Sequence, residues 1–309
     1  MRLIDLHCDT LYKSVTENIS LDCEKMEVKP FVNKGLQCYA IWIPDEYSGD
    51  KAEEIFLKSA NLLQSETKRL GIRLVGKNDR INDIFKKNDY LACLTLENSL
   101  VLNSKLENVK KFADLGVKIM TLTWNGRNSV GDGSEIENPV GITDFGKAVI
   151  SEMEHHNIVV DISHASDKLF YDIAEIAKRP FIATHSNSRS ITWHKRNLTD
   201  DQFEIIKNNG GIVGLNFHNA FLSDDPDKAS KYDLLKHTEK FLSLGGENTI
   251  AIGSDFDGCT LPGDIFGSVS MDEIYEMFLC ENYKESLIRK IFYENALKFF
   301  ENFDKERIM

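Results

Sequence analysis

The chain has 309 residues, 42% hydrophobic and 28% charged, with 37 Lys+Arg against 49 Asp+Glu and a formal net charge of −12. This is ordinary globular composition, and its acidic balance argues against a nucleic-acid or anionic-membrane partner. No run reaches the ~20 apolar residues of a membrane helix, no leader-like pattern opens the chain, and the six cysteines show neither CxxC nor framework spacing, so a reduced, cytoplasmic protein is expected.

Short apolar runs alternate with longer amphipathic segments. The first two runs are Leu3–His7 and Leu36–Ile43. A helical stripe follows from Ala52 to Leu70, with Ile55, Phe56, Ala60, Leu62 and Leu63 on one side. Residues 71–89 are less regular: Ile72 to Val75 reads as a stray strand and Ile81 to Phe85 as a short helix. Further runs lie at Tyr90–Glu97, Val117–Thr123, Ile158–His164, Phe181–His185, Gly211–Phe217 and Thr249–Asp255, which makes eight. Several are nearly continuous in aliphatic residues, as parallel strands buried on both faces are. Among the helices, Phe145, Val149, Ile150 and Met153 share a face. Thr199 with Gln202, and Ser270 with Glu273, have capping-box spacing. Leu287, Ile291, Ala296, Leu297, Phe299 and Phe300 make an apolar last helix able to close a barrel.

Eight such units predict one domain over residues 1–309 with the (β/α)8 TIM-barrel fold; a doubly wound open sheet is the alternative. Connections from helix to strand are short, whereas Trp124–Ile142, His218–Lys231 and Phe256–Ser270, which leave strands, are long. Barrel enzymes gather long loops of this kind on the face that carries the active site. Asn125–Gly141 is long enough for a lid, or for a mobile surface loop.

Polar residues recur at the ends of the apolar runs. Run one ends in His7 and Asp9, run three in Glu97, run five in His164, run six in His185 and run eight in Asp255. Each has a plainer reading alone. His7 and Asp9 could be solvated strand-end residues, Glu97 a loop carboxylate, His164 part of a capping turn. Asp255-Phe256-Asp257-Gly258 could be only a turn. Together they put three imidazoles and three carboxylates on one rim. Histidines and carboxylates in that number can hold two divalent ions if one carboxylate bridges them. Such a pair can activate water and polarise a carbonyl.

At these positions the sequence resembles the membrane (renal-type) dipeptidases, zinc peptidases with an amidohydrolase-like metal-dependent hydrolase barrel, over almost its whole length. The resemblance rests on Asp5-Leu6-His7-Cys8-Asp9, Leu96-Glu97, Asp161-Ile162-Ser163-His164-Ala165-Ser166, Thr184-His185-Ser186, Lys195-Arg196-Asn197, Gly253-Ser254-Asp255-Phe256-Asp257-Gly258 and Glu294-Asn295-Ala296-Leu297. It implies a binuclear zinc centre in which His7 and Asp9 bind one ion, His164 and His185 the other, and Glu97 bridges both. It implies that Asp255 is the acid/base residue beside a metal-bridging hydroxide. It also implies that Arg196 binds the terminal carboxylate of an unblocked dipeptide; otherwise Arg196 reads as part of a solvated His194-Lys195-Arg196 run.

The chain departs from the family at Trp124, where animal members carry a substrate-binding histidine. An indole donates one hydrogen bond and accepts none, which bears on substrate range more than on metal binding. Glu97-Asn98-Ser99 also replaces a glycine-rich version. The animal-type secretion and lipid-anchor signals are missing, so the word "membrane" is not carried over. A homodimer is implied by the resemblance alone. The expected function is a cytosolic binuclear zinc dipeptidase. The alternatives are the same barrel acting on a lactone or an N-acyl amino acid, and a metal-stabilised binding protein without turnover, against which the spare carboxylate Asp255 argues. Cys8, between His7 and Asp9, is expected to point away from the metals.

Overall fold

The aliphatic runs form parallel strands, and the helices between them cover the outside. The computed structural model describes residues 1–305; residues 306–309, the end of the expected domain, lie outside the described residues. The strands are β1 (Arg2–Asp5), β2 (Lys34–Trp42), β3 (Arg73–Leu74), β4 (Tyr90–Glu97), β5 (Val117–Thr121), β6 (Val159–Asp161), β7 (Val213–Leu215) and β8 (Ile250–Ile252). They pair in the order β6-β5-β4-β2-β1-β8-β7. The short β3 is the expected stray strand and pairs with Leu91 and Ala92 of β4, below the point where β5 takes over that edge.

The run expected as strand six is not a ladder strand. Residues 181–184 are held by single bridges, Asp161↔Ile182 on one side and Ala183↔Val213 on the other. The Ile182 amide donates to Val160 O at 3.0 Å and the Ala183 amide to Ile212 O at 3.0 Å, so the segment still closes the ring between β6 and β7. The result is an eight-staved (β/α)8 barrel. Closure requires glycine: a Cβ on Gly253 or Gly214 would stand 1.7 or 1.9 Å from Thr184 O.

Two apolar layers hold the barrel. The larger lies between strands and helices, around side chains such as Tyr39, Phe56, Phe112, Phe170, Phe203 and Phe241. The smaller fills the barrel itself with Ile4, Leu6, Leu36, Cys38, Leu91, Cys93, Ile119, Val159, Ile182, Ile212 and Ala251. Its floor is plugged by Phe299, Phe300 and Phe303 of the last helix, Asn295–Lys305. Asn295 pins that helix by donating to Ile250 O at 2.8 Å and Glu247 O at 3.0 Å. Burying one such phenyl ring stabilises the fold by roughly 1.5–3 kcal/mol.

Helix starts follow the local chemistry. Thr199 and Gln202 form a reciprocal capping box at Asp200–Asn208. Ser270 does not: its backbone is already helical, and its hydroxyl accepts from the Phe266 amide instead. Asn125–Gly141 is not a free flap. Val130 and Asp132 are buried, the Asp132 carboxylate accepts from the Val140 and Gly141 amides, and the Ser134 amide donates to His164 O at 2.9 Å.

Candidate active site

The polar residues lie just past the regular ends of the staves, where strict alternation relaxes. In β1 the ladder stops at Asp5, opposite Gln37. Leu6 and His7 stand outside it, and pairing resumes at Cys8, whose carbonyl accepts the Ala40 amide at 2.9 Å. This break lets Leu6 face the barrel core while His7 and Asp9 face the rim above it. Cys8 turns outward, buried, with its thiol on Cys38 O at 3.3 Å.

Two buried aspartates brace these ends, and neither stood out as a site residue in the sequence. Asp5 accepts from the Ser254 amide at 2.9 Å, the Ser254 hydroxyl at 2.6 Å and the Gln37 amide group at 3.0 Å, which locks β1 to β8 and β2. Asp161 accepts from Thr121 at 2.5 Å, Ser163 at 2.7 Å and Thr184 at 2.7 Å. Since the Thr184 hydroxyl spends its proton on Asp161, His185 Nδ1, 2.8 Å away, must donate to it. His185 Nε2 therefore carries a lone pair toward the rim. His164 Nδ1 lies 2.9 Å from Asn125 Oδ1, which leaves its Nε2 in the same state.

Six expected residues converge. His164 Nε2 and His185 Nε2 are 3.0 Å apart. Glu97 divides its oxygens: Oε1 is 2.7 Å from His164 Nε2 and 3.8 Å from His185 Nε2, while Oε2 is 3.5 Å from His7 Nε2. His7 Nε2 also lies 3.5 Å from Asp9 Oδ2 and 3.9 Å from Asp255 Oδ1. All six are buried.

The donor set suits divalent ions. Facing imidazole lone pairs repel unless a cation or proton lies between them, and two nitrogens on one tetrahedral zinc stand ~3.3 Å apart for bonds of ~2.0–2.1 Å. His7 Nε2 and Asp9 Oδ1 are buried without a hydrogen-bond partner, a costly state that a ligated ion would relieve. His7-Glu97-His185 and His7-Asp9-Asp255 each offer three ligand atoms within 4.8 Å of one another.

The two halves differ electrostatically. Burial pushes the His164 imidazole down to about 4, with Arg196 adding to it. Burial also drives His185 well below its ordinary range, helped by His7 and Arg196. Burial alone would lower His7 too, but Glu97 and Asp9 beside it hold it well above its usual value. Asp255 is pushed up to about 7 by burial, with Asp9 and Glu97 adding and His7 opposing.

Asp255 has a left-handed backbone, φ +64°, uncommon for a residue with a side chain. Its amide donates to His7 O at 3.1 Å, and Asn216 Nδ2 donates to its Oδ2 at 2.9 Å. A Cβ on Gly258 would fall 1.9 Å from Asp9 Oδ2, so only glycine lets this turn close over the site.

Above the rim is a cavity of about 470 Å³, within the ~300–1,000 Å³ of small-molecule sites. Arg196 and Trp124 both line it. Arg196 is buried rather than solvated, and its Nε and Nη1 have no partner. Trp124 packs edge-on against Trp42 at 4.9 Å, and Trp42 against Tyr12 at 4.5 Å, so one wall is aromatic. His194 and His218 also line the cavity, grouped with Arg196 around Phe221. Asn98, φ +74°, fits the departure after β4, since asparagine tolerates that backbone and donates to Ile43 O at 2.9 Å. Trp42, Asn125 and Asn216 are contacts that the sequence reading passed over.

The sequence model of the membrane dipeptidase family, peptidase family M19, matches residues 1–307. An uncharacterised Klebsiella pneumoniae protein is 32% identical over 204 residues, 63% of this chain and 75% of that one. An uncharacterised dipeptidase of Schizosaccharomyces pombe is 32% identical over 180 residues, 56% of this chain but 43% of that one. A Rhodobacter sphaeroides metallopeptidase, solved with a phosphinate mimic of the dipeptide L-Ala-D-Ala, superposes with TM-score 0.89 at 23% identity, over 97% of this chain and 99% of that one. That likeness bears on the fold. No helix among the described residues is long and apolar enough to cross a membrane.

Proposed function

Since the chain belongs to the membrane dipeptidase family, peptidase family M19, as a metal-dependent dipeptidase, we propose that it hydrolyses unblocked dipeptides at a centre for two divalent ions. His7 and Asp9 would hold one ion, His164 and His185 the other, and Glu97 would give an oxygen to each. Zinc suits such imidazole and carboxylate ligands. When bound, the ions would supply a bridging water activated at neutral pH and a Lewis acid for the scissile carbonyl. The observation that carries the reading is the 3.0 Å approach of two imidazole lone pairs, with Glu97 reaching both halves.

Asp255 is the acid/base residue of this reading. One oxygen is held by Asn216, and the other faces the centre, where it can take a proton from the attacking water and return it to the leaving amine. Arg196 would pair with the substrate's terminal carboxylate, because two of its donors are buried and unpartnered. Those donors favour a substrate with a free carboxylate over a lactone. Trp124, with Trp42, would line the remaining side of the substrate cavity. Residues 1–309 would act as one domain, and a cytoplasmic setting is supported by six unpaired cysteines.

Zinc-loaded protein is expected to hold two ions per chain and to release free amino acids from a broad dipeptide panel. Less than one ion per chain, with no dipeptide cleaved, would overturn the reading. Asp255→Asn should keep its metal and lose turnover by roughly 10²–10⁴-fold. Unchanged turnover in that variant would remove Asp255 from the chemistry.

A further inference from the structure

Asn216 follows β7 directly and is completely buried. Its amide has only one chemically sensible orientation. The side-chain oxygen accepts the His218 backbone N–H at 2.6 Å, and a backbone N–H can only donate. The side-chain nitrogen must then face the other way. There it donates to Asp255 Oδ2 at 2.9 Å and approaches His185 O at 3.5 Å.

The backbone of Asn216 is locked as well. Its N–H donates to Asn187 Oδ1 at 3.0 Å, and Asn187 Nδ2 donates to its carbonyl at 2.8 Å. Asn187 is itself completely buried. The two asparagines form a reciprocal clamp between the chain after β7 and the chain after residues 181–184. The clamp gives Asn216 a fixed origin from which to hold a neighbour.

That neighbour needs holding. Asp255 has the left-handed backbone described above, and such conformations persist where their surroundings over-determine them. With Oδ2 taken by Asn216, Asp255 Oδ1 is the oxygen that points at the centre, 3.9 Å from His7 Nε2. Without that hydrogen bond, rotation about the Cβ–Cγ bond could present either oxygen, or neither.

We propose that Asn216 is the positioning residue for Asp255: its fixed amide selects which carboxylate oxygen works and keeps it aimed at the reaction centre. The proposal rests on the reading of Asp255 as the acid/base residue. Asn216 touches neither substrate nor metal in this scheme, so its loss lowers kcat and leaves KM nearly as it was.

The test uses the full, zinc-loaded chain and a dipeptide that it cleaves. Asn216→Asp keeps the shape and can keep the acceptor for His218, but replaces the donor facing Asp255 with an oxygen. Its kcat is expected to fall at least about 100-fold, with KM within about threefold and metal content unchanged. Asn216→Ala should lose about 10- to 100-fold in kcat. In an Asp255→Asn background, Asn216→Ala should cost less than about threefold, because a residue acting through Asp255 has nothing left to position.

A kcat within threefold of wild type for Asn216→Asp would overturn the proposal. So would an equal loss from Asn216→Ala in both backgrounds, which marks a merely structural role. If Asn216→Ala does not fold, the shape-conserving Asp variant decides alone. Undiminished turnover in Asp255→Asn would instead be a failure of the acid/base reading. Loss there with none in Asn216→Asp is a failure of the positioning role.

Discussion

The two ends of the barrel are made from the same staves and differ in almost everything else. β4 shows the contrast within one strand: Leu91 and Cys93 fill the apolar interior, and Glu97, further along, enters the polar rim. The floor is closed by Phe299, Phe300 and Phe303. The rim crowds Asp9, Glu97 and Asp255 around three buried histidines, and two of its polar atoms have no partner. Apolar burial stabilises without a ligand. Buried carboxylates at such distances repel, and a bound cation offsets that repulsion. The floor therefore belongs to folding, and the rim spends some of that stability on chemistry.

Substitutions at each end should fail in different ways. The largest effect is expected from Glu97→Ala. If Glu97 serves both halves of the proposed centre, metal content should fall together with activity, by more than the roughly 100-fold typical of an outer partner. Full metal retention, measured on the same sample as turnover, would remove Glu97 from its bridging role. Next is Arg196→Ala, which should lower kcat/KM for dipeptides by roughly 10²–10³-fold, in line with the ~2–5 kcal/mol of a truncated buried charge pair. An equal loss on a substrate without a carboxylate would point to packing rather than to anchoring.

At the floor, Phe300→Ala should reverse the pattern. Thermal or denaturant unfolding should show a loss of about 3–5 kcal/mol, while kcat of the folded fraction at 25 °C stays at the wild-type value. A changed kcat would mean that the two ends are coupled. The smallest effect is expected from Cys8→Ser, which lies between His7 and Asp9 but faces outward. Its metal count should match wild type, with stability lowered by about 1 kcal/mol for a polar group in an apolar layer. A lost ion would place the thiol in the centre.

The sequence revealed the rim better than the geometry that builds it. His7, Asp9, Glu97, His164, His185 and Asp255 were legible because each ends an apolar run, and a barrel sends all such ends to one face. The strand lengths were not. His7, His164 and His185 lie beyond the ladders, and residues 181–184 are joined by bridges alone. That closure depends on backbone passing backbone at Gly214 and Gly253, which no hydrophobic pattern records. Asp5 and Asp161 carried a signal, a carboxylate two or three positions before a histidine, but their partners come from other staves. Asn216 lies near the end of an apolar run, yet a neutral amide attracts no attention until its neighbours are known. The misread Ser270–Glu273 box had the right spacing; tertiary contacts gave Ser270 another partner.

The seam between β1 and β8 has a consequence for the order of assembly. Asp5 binds Ser254 across 249 positions of sequence, and the Asp255 amide reaches back to His7. A nascent chain exposes His7 and Asp9 well before Asp255. At ~5–20 residues per second the interval is on the order of tens of seconds. Throughout that time His7 and Asp9 have no stave beside them on that edge, so the ring stays open. Contacts this distant in sequence also slow folding, because a long loop must close before they form. Completion of the pocket thus waits for β8, and a nascent chain stalled before β8 would display His7 and Asp9 without the wall that closes around them.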